Sequence, residues 1–177
     1  CYHVRMWNAE ILENAVRSYI LSPDGDQGLP GNFDISVTYT VTEDNGLKIT
    51  YDGVSDKDTY VSMTNHSYFN LNGENSDSIL EHELWLNADA FTRVNNEMIC
   101  TGEIVDVTDT AMDFRTPKTF GRDISNDEEP LNIGGGYDHN FVLNAHGAEE
   151  AIAKVVSEES GIVMEIFTDC PGMQVYT

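Results

Sequence analysis

Between Phe33 and Val41 the chain alternates without a break. Phe33, Ile35, Val37, Tyr39 and Val41 fall on one side, and Asp34, Ser36, Thr38 and Thr40 on the other. A period of two in β-favouring residues describes a strand with one buried and one wet face. Glu43-Asp44-Asn45-Gly46 follows, where Asn and Gly tolerate the positive φ of a tight turn. Leu47, Ile49 and Tyr51 resume the alternation, so a hairpin is predicted. Ala153 to Phe167 reads the same way, with Glu158-Glu159-Ser160-Gly161 turning between two Val/Ile-rich arms. Shorter strands are predicted at Val16 to Leu21, Tyr60 to Thr64, Glu83 to Asn87, Glu103 to Val107, Asn140 to Leu143 and Met173 to Tyr176. No stretch sustains a helical period, and no repeat or Pro/Gly/Ser-rich linker divides the chain. The expected fold is all-β, a large antiparallel β-sandwich, with residues 1–177 forming a single domain whose loops carry function. The chain starts at Cys1 rather than Met, and Met173 to Thr177 stops inside a predicted strand, so the domain is expected to be truncated at both ends.

Charge narrows the partners. Against 9 Lys+Arg stand 31 Asp+Glu, a net charge of −22. Such a surface repels nucleic acid and anionic membranes, and it disfavours phosphorylated substrates unless arginines cluster locally. Arg5, Arg17, Arg93, Arg115 and Arg122 are scattered. A neutral small molecule is indifferent to that field. Cys1, Cys100 and Cys170 are odd in number and lack a C-x-x-C spacing, which points to reduced thiols and a cytoplasmic setting rather than a zinc site or a disulfide framework.

Two runs break the strand pattern: Thr64-Asn65-His66-Ser67-Tyr68-Phe69-Asn70-Leu71 and Gly135-Gly136-Tyr137-Asp138-His139-Asn140-Phe141. Each concentrates amide, ionisable and aromatic groups. Aromatic faces suit the C–H surfaces of a neutral sugar, and amides and carboxylates suit its hydroxyls. On a strand, neighbours point to opposite faces, so Asp138 and His139 are expected to divide, His139 being structural. Trp7 is expected in the core. Ser22 to Asn32 reads as a chain of tight turns.

These runs resemble the signature segments of the aldose 1-epimerases (galactose mutarotases). Thr64 to Leu71 matches the family's N-H-S-Y-F-N run, and Gly136 to Phe141 its G-[YF]-D-H-N-F run. Thr168-Asp169-Cys170-Pro171-Gly172-Met173-Gln174-Val175-Tyr176-Thr177 is similar to T-x-[QE]-P-G-x-Q-x-Y-T, and Ser22 to Asn32 to S-P-D-G-E-E-G-Y-P-G-N. The resemblance implies a large β-sandwich that interconverts the α and β anomers of free hexoses such as galactose and glucose, with no metal or organic cofactor. It implies that His66 is the proton donor and that Asp138 binds sugar hydroxyls; Asn65 and Tyr68 are further substrate-binding candidates. Cys170 is one too, although it departs from the family's Gln or Glu and a thiol is a weak hydrogen-bond partner. The resemblance also implies an upstream H-G-G run and a downstream base in an H-S-G-x-x-x-E-T-Q run, neither of which lies in residues 1–177. A non-catalytic sugar-binding module and a hexose-6-phosphate epimerase are the alternatives.

Overall fold

The computed structural model describes residues 2–76, 78–145, 147 and 149–177; Cys1 lies outside them. Within these residues the regular secondary structure is almost all strand. In order come β1 (Asn8–Leu12), β2 (Ala15–Ser22), β3 (Phe33–Val41), β4 (Leu47–Ser55), β5 (Glu83–Leu86), β6 (Ala88–Val94), β7 (Cys100–Asp106) and β8 (Lys118–Thr119). A short helix α1 (Glu129–Gly134) precedes β9 (Asp138–Leu143), β10 (Ala153–Val156), β11 (Val163–Ile166) and β12 (Gly172–Tyr176). Every strand pairing is antiparallel. None of the described helices is long and apolar enough to cross a membrane.

Contacts divide the chain into two compact units, Cys1–Ser67 and Tyr68–Thr177. The first is a four-stranded sheet in the order β1-β2-β3-β4. The predicted hairpin is its β3–β4 pair, where Phe33 faces Ser55 and Val41 faces Leu47. Asn45 does adopt positive φ, at 65°. Gly46 serves a different need: a Cβ there would stand 2.5 Å from the Thr42 hydroxyl, which accepts the Gly46 N–H. Gly53 is likewise set by packing, because the Phe33 ring would lie 2.6 Å from its Cβ.

The second unit is a sandwich. One sheet runs β11-β10-β5-β8 and the other β12-β9-β6-β7. Both contribute to one core, with Leu84, Leu86 and Val155 from the first sheet and Phe91, Phe141, Leu143 and Val175 from the second. Phe114 sits within it, its ring 5.0 Å from Tyr137, 5.8 Å from Phe120 and 6.2 Å from Phe141. Lys118 is buried beside this cluster. Its ammonium lies 4.5 Å above the Phe114 ring and donates to Asp123 and to the Ala111 carbonyl, 2.7 Å each. A buried charge is tolerable only when paired in this way.

Two expectations need correcting. Tyr60 to Thr64 is not a strand: residues 58–70 have no regular structure. Among the described residues no strand pairs with its backbone, and Tyr60 and Val61 lie exposed. Trp7 is half-buried rather than in the core; its indole N–H donates to the Tyr2 carbonyl at 3.0 Å. The glycine run closes a helix. Gly134 ends α1, and Gly135 caps it in the left-handed region at φ 68°, its N–H donating to Leu131.

Candidate functional site on the β9–β12 face

Alternation along β9 sorts its residues by chemistry. His139, Phe141 and Leu143 are buried, whereas Asp138, Asn140 and Val142 face outward and are half-buried. Across the ladder Tyr176 pairs with Asp138, Gln174 with Asn140 and Gly172 with Val142. Paired residues share a face, so Asp138, Asn140, Gln174 and Tyr176 are presented together. Gln174 Nε2 donates to Asp138 Oδ1 at 2.8 Å, which fixes the carboxylate and leaves its second oxygen to accept. The Tyr68 ring lies 5.4 Å from that of Tyr176 at 55°, and both rings are more than half exposed.

The start of β9 is held rigidly behind this face. Tyr137 is fully buried, and its hydroxyl donates to Ala111 at 3.1 Å. Its N–H donates to the Thr177 hydroxyl at 3.2 Å, and the Thr177 N–H returns to the Tyr137 carbonyl at 3.0 Å. Gly172 is required because a Cβ would meet Asn140 Oδ1 at 2.5 Å. Asp113 and Arg115 lock to each other at 2.7 Å, and the guanidinium holds the Asp113 carboxyl below its usual range.

His139 is the inward partner of Asp138 and is 1% exposed. Its Nδ1 accepts the Asp138 N–H at 3.2 Å, so the neutral ring carries its proton on Nε2, which has no hydrogen-bond partner among the described residues. Burial pushes this imidazole below its ordinary pKa, with the Asp138 carboxylate opposing the shift. A group held neutral by the fold takes its proton first in the unfolded chain. The stability it supports is therefore complete above about pH 6.5 and is lost as pH falls from there toward the folded value. Urea midpoints measured from pH 7.5 down to 5 are expected to decline, and His139→Gln to flatten that decline. An unchanged slope in the variant would assign the acid sensitivity to other groups.

The remaining sequence candidates are placed as follows. His66 is exposed and Asn65 half-buried, both at the end of the first unit; Asn65 Oδ1 accepts the Ser67 N–H at 3.0 Å. Cys170 is an exposed, free thiol, as is Cys100. Cys170 precedes Gly172, and Gly172 is already about 13 Å along β12 from Tyr176 at 3.3 Å per residue. The structure thus brings Tyr68, Asp138 and Tyr176 together and sets Cys170 at the other end of the strand. Gln174 was not among the sequence candidates. Its signal lay in the alternation Gly172, Gln174, Tyr176, which puts a long amide beside whatever faces β12.

Comparison with known proteins identifies the architecture. The chain superposes on a galactose 1-epimerase from Lactobacillus acidophilus with a TM-score of 0.82 at 26% identity, covering 96% of this chain and 49% of that one. An aldose epimerase homologue from C. elegans gives 0.82 at 33% identity, covering 96% and 50%. The fold is therefore the antiparallel β-sandwich of galactose mutarotase-like proteins. In sequence the chain is 42% identical over 175 residues to an aldose 1-epimerase of Haemophilus influenzae, across 98% of this chain and 51% of that protein. It is 40% identical over 173 residues to galactose mutarotase of Sus scrofa, across 97% and 48%. The aldose 1-epimerase family model matches residues 2–177, and the chain belongs to that family. It spans about half the length of the curated relatives it matches.

Proposed function

We propose that this chain supplies the proton donor and a sugar-binding surface of an aldose 1-epimerase acting on free hexoses such as galactose and glucose. The observation that carries the reading is the carboxylate of Asp138, presented on an open sheet face, oriented by Gln174 and flanked by the exposed rings of Tyr176 and Tyr68. A carboxylate accepts from two neighbouring hydroxyls, and aromatic faces cover the apolar side of a pyranose. His66 gives its proton to the ring oxygen as the C1–O bond breaks, while a base takes the proton of the anomeric hydroxyl. The aldehyde turns over, the ring closes on the opposite face, and both protons return. Imidazole suits the role because its two protonation states coexist near neutral pH. Asn65 and Tyr68 contribute hydroxyl contacts. Cys170, at the far end of β12, is left outside the ring-contacting set.

Among the cations, all five arginines lie within 3.9 Å of a carboxylate: Arg5 with Asp26, Arg17 with Glu10, Arg93 with Glu129, Arg115 with Asp113 and Arg122 with Asp123. A phosphate clamp would have to break such pairs, which favours an unphosphorylated sugar. The exposed thiols and acidic surface fit a reducing, cytoplasmic setting.

The test is polarimetry of the full-length gene product on freshly dissolved α-galactose. Acceleration over buffer supports the enzyme; saturable binding without acceleration supports a sugar-binding module instead. Within that assay Asp138→Ala is expected to raise KM about 10- to 100-fold, the worth of hydrogen bonds to a charged group. An unchanged KM would make the carboxylate a structural partner of Gln174 alone.

A further inference from the structure

His82 stands in the core immediately before β5 and is 2% exposed. Its Nε2 accepts the N–H of Leu71 at 3.0 Å, and the neutral ring therefore carries its proton on Nδ1. That nitrogen is buried without a hydrogen-bond partner among the described residues. An orphaned buried donor is costly, and an apolar residue of similar size would avoid it. The position keeps an imidazole where only its acceptor is used.

The acceptor meets a joint. Leu71 closes the Asn65-to-Asn70 segment, which lacks regular structure and has no ladder to satisfy its backbone. Downstream the chain folds on itself: Asn70 Oδ1 accepts the Asn72 N–H at 3.0 Å, and the Asn70 carbonyl accepts Gly73 at 3.1 Å. Upstream, Tyr68 packs its ring against Tyr176. The base on which the imidazole stands is itself fixed, because the His82 N–H donates to Ile79 at 2.9 Å and its carbonyl accepts Phe120 at 3.1 Å.

We infer that His82 is a positioning residue, a buried backbone acceptor that sets Leu71 and through it the placement of Tyr68 on the sugar-binding face. The inference rests on the epimerase reading only for its kinetic consequence. Two variants of the full-length protein separate the acceptor from the volume: His82→Leu fills the space without an acceptor, and His82→Gln returns a carbonyl oxygen near the Nε2 position. With both variants well below their melting temperatures, His82→Leu is expected to lose kcat/KM by roughly 10- to 100-fold, the scale of a misplaced contact, and His82→Gln to recover most of it. Equal losses in both variants, or full activity in His82→Leu, would overturn the assignment. Amide exchange at Leu71 reads the same bond without turnover. Faster exchange in His82→Leu than in wild type and His82→Gln supports the inference even if the wild-type protein shows no epimerase activity, whereas unchanged exchange refutes it.

Discussion

Replacing His66 by Asn in the full-length protein is expected to lower the rate of anomer interconversion by about 10²–10⁴-fold, the contribution of a positioned proton donor. The same change should leave the urea midpoint where it was. His66 is exposed on a segment without strand or helix, so its side chain is not needed to fill a core. Asparagine retains a donor and an acceptor of similar reach but cannot carry a proton to the ring oxygen. If His66 only bound substrate, the loss would fall on KM and kcat would survive. A variant with near-normal optical-rotation kinetics would remove His66 from the mechanism and leave Asp138 with a binding role alone.

The largest expected loss of stability is at Phe114. Its side chain is 1% exposed and faces Phe120, Tyr137 and Phe141, with the Lys118 ammonium over its ring. Phe114→Ala removes the buried area, leaves a cavity and strips one face from a buried cation, for a total cost of about 3–5 kcal/mol. Edge-to-face partners add about 0.5–1.5 kcal/mol per pair to that burial, so the upper end of the range is expected. Chemical unfolding followed by near-UV dichroism measures it, and a loss under about 1 kcal/mol would show that the cluster repacks around the gap. The site would feel the change too, because Tyr137 packs on Phe114 and directly precedes Asp138.

Several elements were legible because their signal is local. The β3–β4 and β10–β11 hairpins follow from alternation and turn residues, and Asp138 and His139 divide as adjacent strand residues must. Other elements were not legible. Tyr60 to Thr64 has strand-forming residues but no partner strand among the described residues, and propensity without a ladder does not make a strand. The short α1 carries too few turns to write a helical period, yet its glycine cap sets the approach to β9.

The amino-acid order alone determined the strand content, the acidic surface and the family to which this chain belongs, because alternation, charge and motif are properties of neighbours along the backbone. Only the tertiary structure decided that Gln174 orients Asp138, that Tyr68 lies against Tyr176 and that the buried imidazole of His82 holds Leu71. Those pairings depend on the register of β9 against β12 and on how the loop before β5 folds back. Register is chosen by the cooperative burial of a whole sheet face, which no local stretch of residues can specify by itself.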